Sequence, residues 1–232
     1  MLHLGLRFAQ ELLVDDDEPT SFSKFIEGDV VHYFDDESDE RAVIGHFSIV
    51  AVDVEAAVTE RERLFDVFDA HSKTIPYWDL YRSDARYKES VIRCLDGEHR
   101  WAPNLLILDR VEILPAFRHQ LVGLRVIRWL CMRFATGCGL IAMKPFPLQY
   151  EGGSPQENAE KDDFVRYGLE EFTAGYEKAL RKLQAHYARL GFKKVRGLPF
   201  MVADPYRSMP TLGELQIGRA VTGTNSGTKH KK

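Results

Sequence analysis

NLLILDRVEILPAFRHQLVGLRVIRWLCMRFATGCGLIAM, residues 104–143, is the stretch on which the fold turns. Residues 104–114 are dense in Leu, Ile and Val and predict the longest strand of the chain. Pro115, which has no N–H for a ladder, stops it. Over about 121–135 the apolar residues Val122, Val126, Leu130 and Phe134 recur every four positions, which predicts a helix with one buried face. Gly137 supplies its stop. Residues 140–143 (LIAM) are wholly apolar and predict a short buried strand, ended by Lys144-Pro145-Phe146-Pro147.

Working outward, residues 29–35 (DVVHYFD) and 41–53 (RAVIGHFSIVAVD) are rich in β-branched and aromatic side chains and flank the acidic turn DESDE, so they predict a β-hairpin. The pattern then turns helical over about 55–71, with Ala56, Leu64, Val67 and Phe68 among charged residues, and a second helix is expected over about 86–95. Residues 150–163 (YEGGSPQENAEKDD) have the composition of a plain surface loop or a mobile lid. A long helix is expected over about 169–190, where Phe172, Tyr176, Leu180, Leu183, Tyr187 and Leu190 form one apolar stripe that Gly191 ends. Residues 192–195 and 200–202 supply the last strands. No internal repeat is visible. Strands alternating with helices argue for an α/β or mixed α+β fold around a central sheet. One domain over 1–222 is expected, with 223–232 as a flexible tail.

The chain has 232 residues, is 28% charged and carries a net charge of −4, which suits a folded domain and excludes a wholly disordered one. The charge is uneven. Residues 1–60 hold 15 acids and 3 bases, and the remainder holds 20 acids and 28 bases. Either this is a matter of solubility, or the later part receives a polyanion while the acidic part faces a cation. Three cysteines, Cys94, Cys131 and Cys138, are too few and too irregularly spaced for a disulfide scaffold or a zinc site. No apolar run is long enough to cross a membrane, and MLHLGLRFAQELL is interrupted by Arg7, Gln10 and Glu11, so it does not read as an export signal. A cytoplasmic protein with no membrane partner is expected. The only basic cluster, Lys229-His230-Lys231-Lys232, reads as part of a frayed tail, so a nucleic-acid partner is not indicated. His32 and His46 lack carboxylates at ligand spacing, so no metal is expected.

The turn between strand 104–114 and the following helix is where chemistry would sit. A helix start offers unpaired N–H groups and partial positive charge, and here Arg118, His119, Gln120 and Gly123 surround it. That set suits a pyrophosphate; it also suits an ordinary joint whose arginine points to solvent. A second segment bears on the choice. His186-Tyr187-Ala188-Arg189-Leu190-Gly191-Phe192 resembles the Y-x-x-x-G-F helix end of the GCN5-related N-acetyltransferase superfamily, and residues 113–123 (ILPAFRHQLVG) resemble that superfamily's acetyl-CoA segment. The resemblance covers about 101–205. It departs at Leu121, which stands where the motif has its first glycine, at Leu180, where the family often has asparagine, and in a hairpin that precedes the helices.

The resemblance implies a mostly antiparallel sheet with a splayed parallel pair forming the cofactor cleft, and acetyl-CoA as donor with no metal. Backbone groups of Ile113 and Leu114 would pair with the pantetheine arm. Amides of Arg118, His119, Gln120, Leu121, Val122, Gly123 and Leu124 would hold the pyrophosphate. Tyr187 would be the general acid for the departing thiolate, since a phenol near pKa 10 outlasts a thiol near 8.5; alternatively it is a core tyrosine. Asp109, or Glu112 in its place, would be the base; either one equally suits a salt bridge to Arg110. Tyr77, Trp78 and Tyr81 line an acceptor pocket or anchor the helical region. The expected activity is acetylation of an amine, small-molecule or peptide, by direct attack in a ternary complex. The alternatives are a catalytically inactive CoA-binding or protein-interaction module, and an acyltransferase drawing on acyl-carrier protein or aminoacyl-tRNA.

Overall fold

The computed structural model of the chain describes residues 2–9, 18–34, 40–95, 102–118 and 120–216. Most of the hairpin turn, the tail and His119 lie outside the described residues. Seven strands among the described residues form one sheet: β1 (His3–Ala9), β2 (Ser23–Tyr33), β3 (Arg41–Val52), β4 (Leu105–Ile113), β5 (Leu140–Met143), β6 (Lys193–Lys194) and β7 (Met201–Ala203). Their order is β1-β2-β3-β4-β5-β7-β6. Every neighbouring pair is antiparallel except β4 and β5, which run parallel. Among the described residues seven α-helices accompany the sheet: α1 (Val54–Thr59), α2 (Leu64–Asp69), α3 (Glu89–Ile92), α4 (Val122–Phe134), α5 (Pro155–Asn158), α6 (Asp162–Arg166) and α7 (Tyr176–Ala188). The fold is mixed α/β, a mostly antiparallel sheet flanked by helices.

Two apolar cores sandwich the sheet. On one face Val122, Val126, Ile127 and Leu130 of α4 meet Leu106, Leu108 and Ile113 of β4. On the other, Val54, Val67, Phe68 and Val91 of α1–α3 meet Leu105 and Ile107. Each such side chain contributes about 1.5–3 kcal/mol by leaving water. The alternation along β4 is broken at Asp109. Ser48 of β3 pairs with Arg110 and Ile49 with Leu108, which leaves Asp109 as the extra residue of a β-bulge. The bulge reverses the parity: Leu106 and Leu108 before it, and Val111 and Ile113 after it, join the same core.

Several expectations change. The helix of 55–71 is two helices. α1 ends in a Schellman motif, with Glu62 N–H donating to Ala57 O at 2.9 Å and Arg61 N–H to Val58 O at 3.2 Å. Arg61 takes the left-handed position (φ 64°) that usually signals itself as glycine. The helix of 86–95 is one turn of α-helix followed by a 3-10 turn, 93–95. The helix of 169–190 begins only at Tyr176, because Gly175 is extended (ψ 154°) and 169–171 is a separate 3-10 turn. Residues 150–163 are more than a loop: they hold α5, closed by a Ser154–Glu157 capping box, and the start of α6. β1 had no counterpart in the sequence reading, and β2 begins at Ser23 rather than 29. No helix among the described residues is long and apolar enough to cross a membrane.

Candidate functional site

β4 and β5 part company after three residue pairs, Leu105–Leu140, Leu106–Ile141 and Ile107–Ala142. The joined end is anchored by close backbone approach: a Cβ on Gly139 would lie 1.8 Å from Ala102 O. Beyond it β5 leaves through Lys144-Pro145-Phe146-Pro147, and prolines cannot donate to a ladder. β4 continues to Ile113 along β3 alone. The parting opens a cleft of about 870 Å³. Val111, Glu112 and Ile113 form one wall, Phe146, Pro147 and Leu148 the other, the start of α4 the base, and α7 a flank.

Most of the apolar stripe of 172–190 faces the cleft rather than the core. Ala179, Leu183 and Tyr187 are half-buried and line the cleft, Tyr187 also packing against the core that Leu190 enters, and Phe172 and Tyr176 are exposed. α7 also turns Lys178, Lys182 and His186 toward the cleft at intervals of four. Neither lysine has an acidic partner among the described residues. Burial, reinforced by Arg189, pushes the His186 pKa down, which favours its neutral form. These three were missed in the sequence, although their spacing was readable once the face of α7 was known.

At the start of α4 the backbone supplies what the sequence lacks. Leu121 sits at φ 61°, ψ 14°, the left-handed region that glycine enters freely and leucine enters at about 1–2 kcal/mol. Its side chain lines the cleft without filling it. Gly123 faces open space: an added Cβ would meet only Ile113 Cγ1, at 3.9 Å. Val122 also lines the cleft, whereas Leu124 points into the core and Gln120 is exposed.

Arg118 has a different task from the one expected. Its Nε donates to Ile113 O at 3.0 Å, Nη2 to Tyr167 O and Nη1 to Gly168 O at 3.5 Å, and its guanidinium lies 4.9 Å from the Phe172 ring centre. It straps the end of β4 to the turn after α6, and burial there lowers its pKa. One carbonyl expected to meet a ligand, that of Ile113, is therefore already bound. Leu114 takes its N–H to Ile44 O at 2.9 Å.

The two candidate carboxylates do not converge. Glu112 pairs with Arg110 at 2.7 Å, and Arg110 also holds Glu151, so Glu112 is tied to the segment after β5. Asp109 lies 3.1 Å from Lys73 Nζ and accepts from Ser48 Oγ at 3.1 Å. Asp109 borders a second pocket of about 280 Å³, with Lys73, Tyr77, Met143, Lys144 and Pro145. Tyr77 is both core and pocket wall; Tyr81 is buried, its hydroxyl donating to Pro103 O at 2.6 Å, and Trp78 packs on Phe65 and Phe68.

The cleft and the second pocket are neighbours with a shared wall. Val111, Ile127, Phe146, Leu148 and Tyr187 line both. Tyr187 has no hydrogen-bond partner for its hydroxyl among the described residues, and burial pushes its pKa up to about 12. A protonated phenol thus stands in the wall common to two cavities, with unpaired lysines lining one and a carboxylate lining the other. Cys131 and Cys138 are buried, away from both. Among the described residues no group of three or more His, Cys, Asp or Glu side chains is placed to hold a metal ion. Comparison of the chain with protein-family models, with curated proteins and with solved structures finds no match.

Proposed function

We propose that the protein is an acetyl-CoA-dependent N-acyltransferase of the GCN5-related type, acetylating an amine by direct attack. The observation that carries this reading is that the β4–β5 cleft and the second pocket lie side by side and share Tyr187 as a wall. Two reactants, one in each, would come together there, and holding them together is the largest source of acceleration available to such a site. The residues fit the donor. Gly123 leaves room at the start of α4, where Val122 and Gly123 N–H groups are free of helix partners, and Lys178 and Lys182 add positive charge. Arg118 shapes this base through its backbone bonds, and its guanidinium, bonded to carbonyls and to no carboxylate among the described residues, keeps its charge at the cleft wall.

Acetyl-CoA, when bound, supplies the activated acetyl carbonyl. The amine nitrogen bonds to that carbon and the carbon–sulfur bond breaks. Tyr187 donates its proton to the departing sulfur, and its high pKa keeps that proton in place at neutral pH. Asp109, directly or through water, takes the proton that the amine must lose. No residue forms a covalent intermediate, in keeping with cysteines that lie outside the cleft.

A second reading, a CoA-binding module without turnover, draws on the Leu121 side chain at the cleft base. Calorimetric titration with acetyl-CoA, followed by thiol release over a panel of amines, separates the two. Binding with amine-dependent thiol release supports the enzyme, and binding without it supports the module. Absence of binding, together with no rise in thermal midpoint under excess acetyl-CoA, removes both.

A further inference from the structure

Lys73 lies between α2 and the 3-10 turn of 75–80, on the segment joining β3 to β4. Its Nζ donates to Glu27 Oε1 at 2.6 Å and to Ser48 Oγ at 2.9 Å, and lies 3.1 Å from Asp109 Oδ2. One ammonium therefore ties β2, β3 and the bulge of β4 together. Ser48, itself buried, gives Asp109 Oδ2 a second contact at 3.1 Å. Oδ1 of Asp109 has no protein partner among the described residues, and the residue borders the second pocket. Burial acts to lower the Lys73 pKa, but Glu27 and Asp109 outweigh it and hold the ammonium above the usual lysine range.

Within each ion-pair cluster beside the pocket carboxylates outnumber cations, although Glu27 and Glu112 stand behind the lining itself, where Lys73, Arg110 and Lys144 face Asp109 and Glu151. Two carboxylates, Glu27 and Asp109, face one lysine, and two more, Glu112 and Glu151, face Arg110. Each cluster is one positive charge short of neutral. Lys144 is the remaining cation, exposed at the rim. We propose that Lys73 is the positioning residue of an acceptor subsite for protonated amines, fixing the bulged carboxylate so that Oδ1 of Asp109 receives the incoming ammonium. The ammonium completes the charge of the cluster, and its bond to an ionised oxygen is of the stronger, charge-assisted kind. Without Lys73, Glu27 and Asp109 repel one another across Ser48 and the carboxylate loses its fixed orientation. The inference deepens the reading of this pocket as the acceptor site, but its binding step stands apart from any acetyl transfer.

The test is calorimetric titration at pH 7 with n-butylamine, and with butanoate as the anionic control, on wild type, Lys73→Met, Lys73→Arg and Asp109→Asn, with acetyl-CoA titrated separately. Butylamine binds in preference to butanoate, and Lys73→Met and Asp109→Asn each weaken it about tenfold, the loss of one charge-assisted contact. Lys73→Arg restores it to within about threefold, and acetyl-CoA affinity stays within about twofold throughout. Combining Lys73→Met with Asp109→Asn costs no more than Asp109→Asn alone, because one residue acts through the other. Where the enzyme turns over, KM for the amine rises in Lys73→Met while KM for acetyl-CoA does not. Equal binding of butanoate, no amine binding by wild type, undiminished butylamine binding in Lys73→Met, or a parallel loss of acetyl-CoA binding each overturns the proposal. Amine binding by a protein that ignores acetyl-CoA sinks the acyltransferase reading and leaves this one standing.

Discussion

β4 meets β5 in two ways along its length. From Leu105 to Ile107 the two strands are hydrogen-bonded, and every side chain there is fully buried. From Leu108 to Ile113 β4 has no neighbour on that side, and its residues border the two cavities. The difference arises from two local features. Prolines 145 and 147 deny β5 the donors to continue, and the Asp109 bulge turns the alternation of β4 just after the last shared pair. One strand thus anchors the core with its first half and builds a cleft with its second, so stability and function are separable along it.

The largest expected effect tests the anchored half. Leu106 is 0% exposed and packs under α4, so Leu106→Ala removes burial and leaves a cavity, costing about 2–5 kcal/mol. Denaturant unfolding measures it. A loss below about 1 kcal/mol would mean that the joined end yields easily and that the cleft does not depend on it.

The same division governs what the sequence disclosed. α4 and β5 were readable because burial on one face enforces period, and both match the expected ranges closely. The wedge between β4 and β5 was implied by the resemblance and not by the residues themselves, since an apolar strand looks alike whether its edge is paired or open. Nor could the bulge be read, because it is a matter of register with Ser48 and Ile49, far away in the chain. The stripe over 172–190 was seen but its surroundings were not: apolar residues at helical spacing serve a core or a pocket wall equally well. Lys73 gave no signal at all, because its partners lie 46 and 25 residues upstream and on the next strand. Arg118 was picked out correctly as belonging to the turn, but the carbonyls it serves, at Tyr167 and Gly168, come from an insertion with no legible relation to it.

Tyr187 tests the open half, with an effect on chemistry rather than on folding. Tyr187→Phe keeps the ring in the cleft wall and removes the proton, so turnover falls by about 10²-fold while acetyl-CoA affinity changes little. A tyrosine titrates near 10 in the unfolded chain and, for Tyr187, near 12 in the native one. The native state therefore keeps a proton that the unfolded chain releases between these values. The stabilisation is whole below pH 10 and is lost as pH climbs through about 12. Correspondingly, the wild-type rate shows no falling limb from this group below pH 10. A limb near neutrality that vanishes in Tyr187→Phe would show that the hydroxyl is not held protonated by burial. Undiminished turnover in Tyr187→Phe would remove it from the mechanism.

The smallest effect on stability belongs to Leu121, where core packing and cleft wall meet in one residue. Its backbone is left-handed, a strain of about 1–2 kcal/mol for a leucine. Its half-buried side chain packs on the α4 core and recovers a similar amount, about half the value of a fully buried leucine. Leu121→Gly loses both, so stability shifts by no more than about 1 kcal/mol. Leu121→Ala keeps the strain and loses the packing, and is destabilised by about 1 kcal/mol. Binding discriminates further: if the side chain only narrows the base of the cleft, Leu121→Gly tightens acetyl-CoA several-fold, and Leu121→Ala does so to a similar degree. Weaker acetyl-CoA binding in both variants would instead make the leucine a contact that the ligand uses. Equal destabilisation of the two would show that the left-handed turn costs the native state nothing.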